Sequence, residues 1–197
     1  MQSISCFIVV IVCLVNSNAN AKDSLTVGHL ELLALHNAYR QSVKYGKVAG
    51  QPPAASMAKL IWSYELANVS KSLAKKCQPY PNSITMRGKT RWTYVGQNVA
   101  VVAAIRDAAA RWFSEHSNYN FEANVCRQNR QCANYKQMVY SETTHIGCAY
   151  KLCDNFKAPF NILVVCTYGP GGKYFSRRPY TPWKHSLDDL FYSQDFY

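Results

Sequence analysis

Apolar positions recur at helical spacing in three stretches of the chain and cluster at strand-like spacing in three later ones. Over residues 26–45, Leu32, Leu35, Tyr39 and Val43 fall three to four residues apart, which predicts a helix, and Gly46 suits its exit. Residues 47–56 are rich in Gly, Pro and Ala and read as a loop. A second helix is expected over 64–76, with Ser63 as N-cap and Leu66, Val69, Leu73 and Cys77 on one face. Pro79 and Pro81 break the polar stretch 78–91, and Trp92 to Val95 reads as a short strand. A third helix is expected over 100–117, with Val101, Ile105, Ala108 and Trp112 on one face. The β-rich runs 135–141, 145–152 and 160–168 are spaced as antiparallel hairpins. Helices first and strands later indicate an α+β domain.

The N-terminus changes the picture. An apolar stretch from Phe7 to Val15 gives way to small and polar residues ending Ala19-Asn20-Ala21. That ending reads as a signal-peptidase site, so residues 1–21 are expected to leave and Lys22 to begin the mature chain. The apolar run is too short to span a bilayer, and no later segment reads as a membrane span, so no stable membrane insertion is expected. Cys6 and Cys13 would leave with the leader, and six of the eight cysteines remain. An even set in an exported chain reads as disulfides, but the sequence alone does not choose the pairing. Formal charge is +11. A basic surface fits anionic glycans, membrane surfaces or nucleic acid, and export excludes nucleic acid as the partner. No run of five basic residues appears, so a soluble basic protein is the simpler reading.

Five motifs then stand in order: His36-Asn37-x-x-Arg40; Gly96-Gln97-Asn98; Trp112-Phe113-Ser114-Glu115 with Tyr119-Asn120-Phe121; Tyr135-Lys136-Gln137-Met138-Val139-Tyr140 leading to His145-Ile146-Gly147-Cys148-Ala149; and Val164 through Gly172. Together they resemble the CAP domain, the family of cysteine-rich secretory proteins, insect antigen 5 and plant pathogenesis-related proteins 1. The likeness spans about residues 28 to 172 and is greatest to the venom-allergen-like proteins of parasitic worms. It implies a disulfide-stapled, three-layer α-β-α sandwich around a small antiparallel sheet. The implied layout is a leader (1–21), a CAP domain (22–172) and a cysteine-free C-terminal extension (173–197). The pairing it implies is Cys77 with Cys153, Cys126 with Cys132, and Cys148 with Cys166.

The family lines one cleft with two His and two Glu that can hold a divalent metal. The matching positions here are Asn82, Gln97, Glu115 and Asn134, and only Glu115 keeps its type. An amide oxygen is a poor zinc ligand and does no acid–base work near neutral pH. No metal, no cofactor and no catalytic residue are therefore expected, and the four positions should form a polar cluster. His116 follows Glu115 on a helix and points about 100° away from it. His145 opens a strand. His36, Asn37 and Arg40 invite comparison with a cysteine protease, but paired cysteines leave no thiolate, and the family uses these residues structurally. Ser141 beside Glu142 has no evident base. Asn68-Val69-Ser70 is a glycosylation sequon, with Asn68 expected to face solvent about 200° round the helix from Leu66.

Three functions compete for a secreted, extracellular CAP domain: binding of fatty-acid or sterol lipid, an interaction scaffold for extracellular host proteins, or hydrolysis. The amide-substituted cleft argues against an enzyme. The resemblance places a fatty-acid channel between the first and third helices, where Ala104, Ala108 and Ala109 would leave room beside Leu32 and Tyr39. Close helix packing is the competing reading of the same small residues. The family's sterol loop would fall near Tyr119 to Cys132, a polar segment here.

Overall fold

The computed structural model describes residues 25–80, 90–172 and 177–184. The expected leader and Asn82 lie outside them. Helix α1 (Val27–Lys44) begins at Thr26, whose hydroxyl accepts from the His29 N–H. It ends in a Schellman turn. Gly46 takes φ +65°, its N–H donates to Val43, and Lys47 donates back to Ser42. Helix α2 (Tyr64–Ala74) is capped by Ser63, which accepts from the Leu66 N–H.

The sheet contains β1 (Ile61–Trp62), β2 (Gly96–Val102), β5 (His145–Leu152) and β6 (Ile162–Gly169), in the order β1-β5-β6-β2. Three features differ from the sequence reading. Strand β1 pairs parallel with β5, so one edge of the sheet is not antiparallel. Residues 100–102 close strand β2, which leaves α3 only Ile105–Ser114, with Ala104 as its N-cap. The expected strand at 135–141 is instead helix α4 (Ala133–Met138), and the expected Trp92–Val95 strand starts only at Gly96. A 3₁₀ turn (Glu115–Asn118) and a small hairpin of β3 (Tyr119–Asn120) and β4 (Val125–Cys126) link α3 to α4.

Helix α2 covers one sheet face, and α1, α3 and α4 cover the other, giving the three-layer α-β-α sandwich. Gly147 makes the first contact possible, since a Cβ there would run into the main chain of Ser63, Leu66 and Ala67. The larger core, under α1 and α3, buries Leu32, Trp112, Tyr135, Ile146 and Tyr168. Each such side chain contributes about 1.5–3 kcal/mol on leaving water. Cys148 and Cys166 bond across registered positions of β5 and β6, Cys77 and Cys153 tie the end of α2 to the end of β5, and Cys126 and Cys132 close the loop before α4.

Residues 177–184 lie along the domain. Ser141 donates to the Pro179 carbonyl, Ala55 to Thr181, and Trp183 to Pro53. Tyr180 enters the larger core and its hydroxyl donates to the Pro52 carbonyl. Within the expected C-terminal extension, Pro179 and Tyr180 are therefore buried against the domain, while most of the other described residues stay exposed.

Candidate functional site

Trp112 fixes the approach to the cleft. Its indole N–H donates to the Val99 carbonyl at 3.2 Å, which ties α3 to edge strand β2. Helix α3 then tightens into the 3₁₀ turn and sets Glu115 against the start of α4. There the carboxylate receives three hydrogen bonds: Asn134 N–H to Oε2 at 2.9 Å, Tyr135 N–H to Oε2 at 3.1 Å, and Asn134 Nδ2 to Oε1 at 2.7 Å. Every helix start leaves main-chain donors without partners, and a local side chain usually takes them. Here the N-cap is Cys132, a disulfide cysteine that makes no capping bond. Glu115 supplies the cap from another element, with a charge of the sign that a helix N-terminus favours.

The cluster continues inward. Asn98 Nδ2 donates to the Asn134 carbonyl at 3.0 Å, and the Asn98 side chain also bonds the Tyr168 hydroxyl. Tyr168 meets His36 Nε2 at 2.8 Å, and His36 Nδ1 lies 2.7 Å from the Leu32 carbonyl. A carbonyl only accepts, so Nδ1 carries the proton and Nε2 receives the tyrosine O–H. Burial of the whole imidazole lowers the His36 pKa to about 4, against the opposing pull of the Leu32 carbonyl. Burial likewise pushes the Tyr168 phenol well above its ordinary value. The chain from His36 to Glu115 is thus neutral along its buried part.

Of the four expected cleft positions, the structure brings Glu115 and Asn134 together. Gln97 stands opposite Thr167 in the ladder and shares the strand face of Val99 and Val101, which pack in the smaller core on the α2 side. Asn98 shares the opposite face with Ala100 and Val102, all three buried. The sequence reading singled out Gln97 and missed Asn98. The period-two alternation along β2 is the signal that identifies it.

His116 packs its ring on Phe113 and Tyr135, at 5.3 and 6.0 Å between centroids, and burial lowers its pKa. His145 leans on Trp92 and bonds Thr144. Among the described residues, no three His, Cys, Asp or Glu side chains gather as a metal site. Both Glu115 oxygens already accept N–H donors, and Asn134 offers an amide where an imidazole would ligate. These residues do not fit a zinc ion.

The His36-Asn37-x-x-Arg40 motif is architectural. Asn37 clasps Leu60 from both sides, donating to its carbonyl at 3.1 Å and accepting from its N–H at 2.7 Å. Arg40 is fully buried and donates to four main-chain carbonyls, those of Ala58, Met138, Tyr140 and Thr143, at 2.9–3.2 Å. Burial lowers its pKa to about 10, which leaves it charged at neutral pH.

The expected lipid positions meet along the α1–α3 seam. Leu32 and Ala108 are fully buried, and Tyr39 stacks on Phe113 with ring centroids 4.1 Å apart. Ala104 sits half-buried at the N-terminal end of α3. The seam is closed in this structure. Open clefts lie elsewhere: one, of about 750 Å³, runs between residues 50–52 and 117–127, and another, of about 560 Å³, lies between residues 91–94 and Tyr140. In the sequon, Asn68 is exposed. Ser70 is fully buried, with its hydroxyl on the Gly147 carbonyl at 2.7 Å and on Thr167 Oγ1 at 2.8 Å.

Known proteins agree with this architecture. The model of the family described as CAP, cysteine-rich secretory protein family, matches residues 33–168. Bovine GLIPR1-like protein 1 is 33% identical over 179 residues, covering 86% of this chain and 70% of that protein. Mouse peptidase inhibitor 16 is 34% identical over 153 residues, covering 76% of this chain and 28% of that protein. The solved structure of Schistosoma mansoni venom allergen-like protein 4 is 38% identical. It aligns with a TM-score of 0.73 over 81% of this chain and 97% of that one.

Proposed function

The chain belongs to the cysteine-rich secretory protein family, and from that premise we propose that it acts outside the cell as a non-catalytic binding protein for a long-chain lipid. The observation that carries the non-catalytic reading is the state of Glu115. Both of its oxygens are occupied in capping α4, and the neighbouring positions are amides. A carboxylate so held has three of its four lone-pair sites engaged, and the matching cleft positions offer it amides instead of a titratable partner.

Support for the lipid comes from the α1–α3 seam. Leu32, Leu35 and Tyr39 on α1 meet Ala108, Ala109 and Phe113 on α3 in an apolar interface. An acyl chain there would exchange helix–helix contact for helix–lipid contact, with about 0.8 kcal/mol gained per methylene removed from water. Because the seam is closed, α1 and α3 must part to admit it. Native mass spectrometry of the secreted chain should find retained lipid. Ala104→Phe, which fills the half-buried end of the seam without forcing its packed middle, should reduce the lipid-bound fraction.

The closed seam also favours a second reading, an extracellular protein-interaction scaffold, and the likeness to a protein named as a peptidase inhibitor points the same way. A chain that carries no lipid, in the native state or after incubation with fatty acid, selects this second reading.

A further inference from the structure

We propose that the cleft between residues 91–94 and Tyr140 binds an anionic glycan, with the guanidinium groups of Arg91 and Arg177 on its sulfate or carboxylate groups. This goes beyond the lipid reading and uses none of its residues. None of Gln97, Glu115 or Asn134 lines the cleft.

Arg91 stands on a fixed platform. Its guanidinium lies over the Trp92 ring, 4.3 Å from the centroid. The indole is in turn held against the His145 ring and against Gly169, where a side chain would collide with it. Glu65 accepts the Arg91 main-chain N–H at 2.7 Å but reaches the side-chain Nε only at 3.9 Å. Among the described residues, most of the guanidinium donors therefore remain for a ligand, and the side chain is 60% exposed.

Arg177 enters from the C-terminal strap. The residues after it are anchored, Arg178 to the carbonyls of Phe121 and Glu122 and Pro179 to the Ser141 N–H. Its positive field reaches the Tyr140 phenol and works against the upward push of burial.

The facing acid is Glu142. It accepts the Tyr140 hydroxyl at 2.8 Å and stands exposed at the rim. The described cleft lining thus carries two guanidiniums and the Glu142 carboxylate, with Glu65 behind Arg91 outside the lining, and Thr93, Tyr94 and Tyr140 supply hydroxyls or apolar wall.

That inventory suits a sugar acid. Planar guanidiniums grip sulfate or carboxylate through paired N–H donors, and hydroxyl-bearing walls match sugar hydroxyls. At about 560 Å³ the cleft has the size of a ligand pocket. Its rim residues Arg91, Thr93, Glu142 and Arg177 are all exposed, so a polymer can enter and leave at its ends. The net charge of +11 draws a polyanion to the surface before the cleft reads it.

The test titrates the full chain with a heparin-derived hexasaccharide, followed by calorimetry in about 150 mM salt, where loose surface attraction is screened. Saturable binding is expected. The Arg91→Ala, Arg177→Ala double variant should lose about tenfold or more in affinity while keeping its melting temperature. Removing the same charge elsewhere, by Arg127→Ala with Arg130→Ala, should change affinity by less than about twofold. Glu142→Gln should tighten binding, and lysine at both positions should fall between wild type and the alanine pair. The proposal fails if no hexasaccharide binds, or if both alanine pairs weaken it equally. It also fails if a single-stranded oligonucleotide of equal charge binds more tightly and through the same two arginines.

Discussion

Arg40 and Glu115 both hold a charge on main-chain dipoles, and they differ in sign, depth and reach. Arg40 lies at zero exposure and gathers carbonyls from Ala58 and from Met138, Tyr140 and Thr143, two separate parts of the chain besides its own helix. Glu115 is half-buried and takes its donors from two consecutive residues at one helix start. The first is a junction between segments, the second a cap on one segment. A charged residue in a family motif can therefore owe its place to main-chain satisfaction alone. The number of segments it joins then sets what its loss does.

The contrast breaks first at Arg40. Arg40→Met should destabilise the fold on the order of 5 kcal/mol, since four carbonyls lose their donor at about 1–3 kcal/mol each when buried. Urea unfolding measures this, and Arg40→Lys, which cannot serve four acceptors, should recover little of it.

His36 tests the ground between the two charges. Its pKa of about 4 in the fold against an ordinary 6.5 means that the unfolded chain binds more protons between those values. Stability from this group is therefore complete above about pH 6.5 and is lost as pH falls toward 4, by up to about 3 kcal/mol over the window. Melting temperature against pH should show the slope, and His36→Gln should flatten it.

Glu115 gives the smallest of the three effects. Glu115→Ala should cost about 2 kcal/mol and Glu115→Gln under about 1 kcal/mol, with hydrogen exchange rising first at the Asn134 and Tyr135 amides. A loss at Glu115 that matched Arg40→Met would erase the distinction between cap and junction.

How much of this was legible follows the range of the cause. Helices α1 and α2 and strands β5 and β6 carry their own periodicity, caps and exits, and their bounds fall close to those read from sequence. Helix α4 does not. Tyr135 to Tyr140 reads as β-rich because its capping carboxylate comes from Glu115, nineteen to twenty residues earlier. The start of α3 was misplaced because Val101 continues the helical stripe of Ile105, Ala108 and Trp112 by coincidence. Pairing with β6 carries Val101 into β2 instead. In the cleft, the chemistry of the amide substitutions could be read directly. The partner of Asn134 could not, because choosing Asn98 over Gln97 requires knowing that residue 96 opens a strand.

Ser70 carries a consequence for biosynthesis. A glycosyltransferase must engage the sequon hydroxyl, and in the fold that hydroxyl is sealed against Gly147 and Thr167. Any sugar on Asn68 must be attached before α2 docks on the sheet. Holding the disulfides reduced during synthesis should raise Asn68 occupancy, read as a mass increment that Asn68→Gln removes. Purified folded chain should accept no sugar from the same enzyme. The sequon then works as a stopwatch: the fraction of folded molecules left bare records how fast this layer of the protein closed.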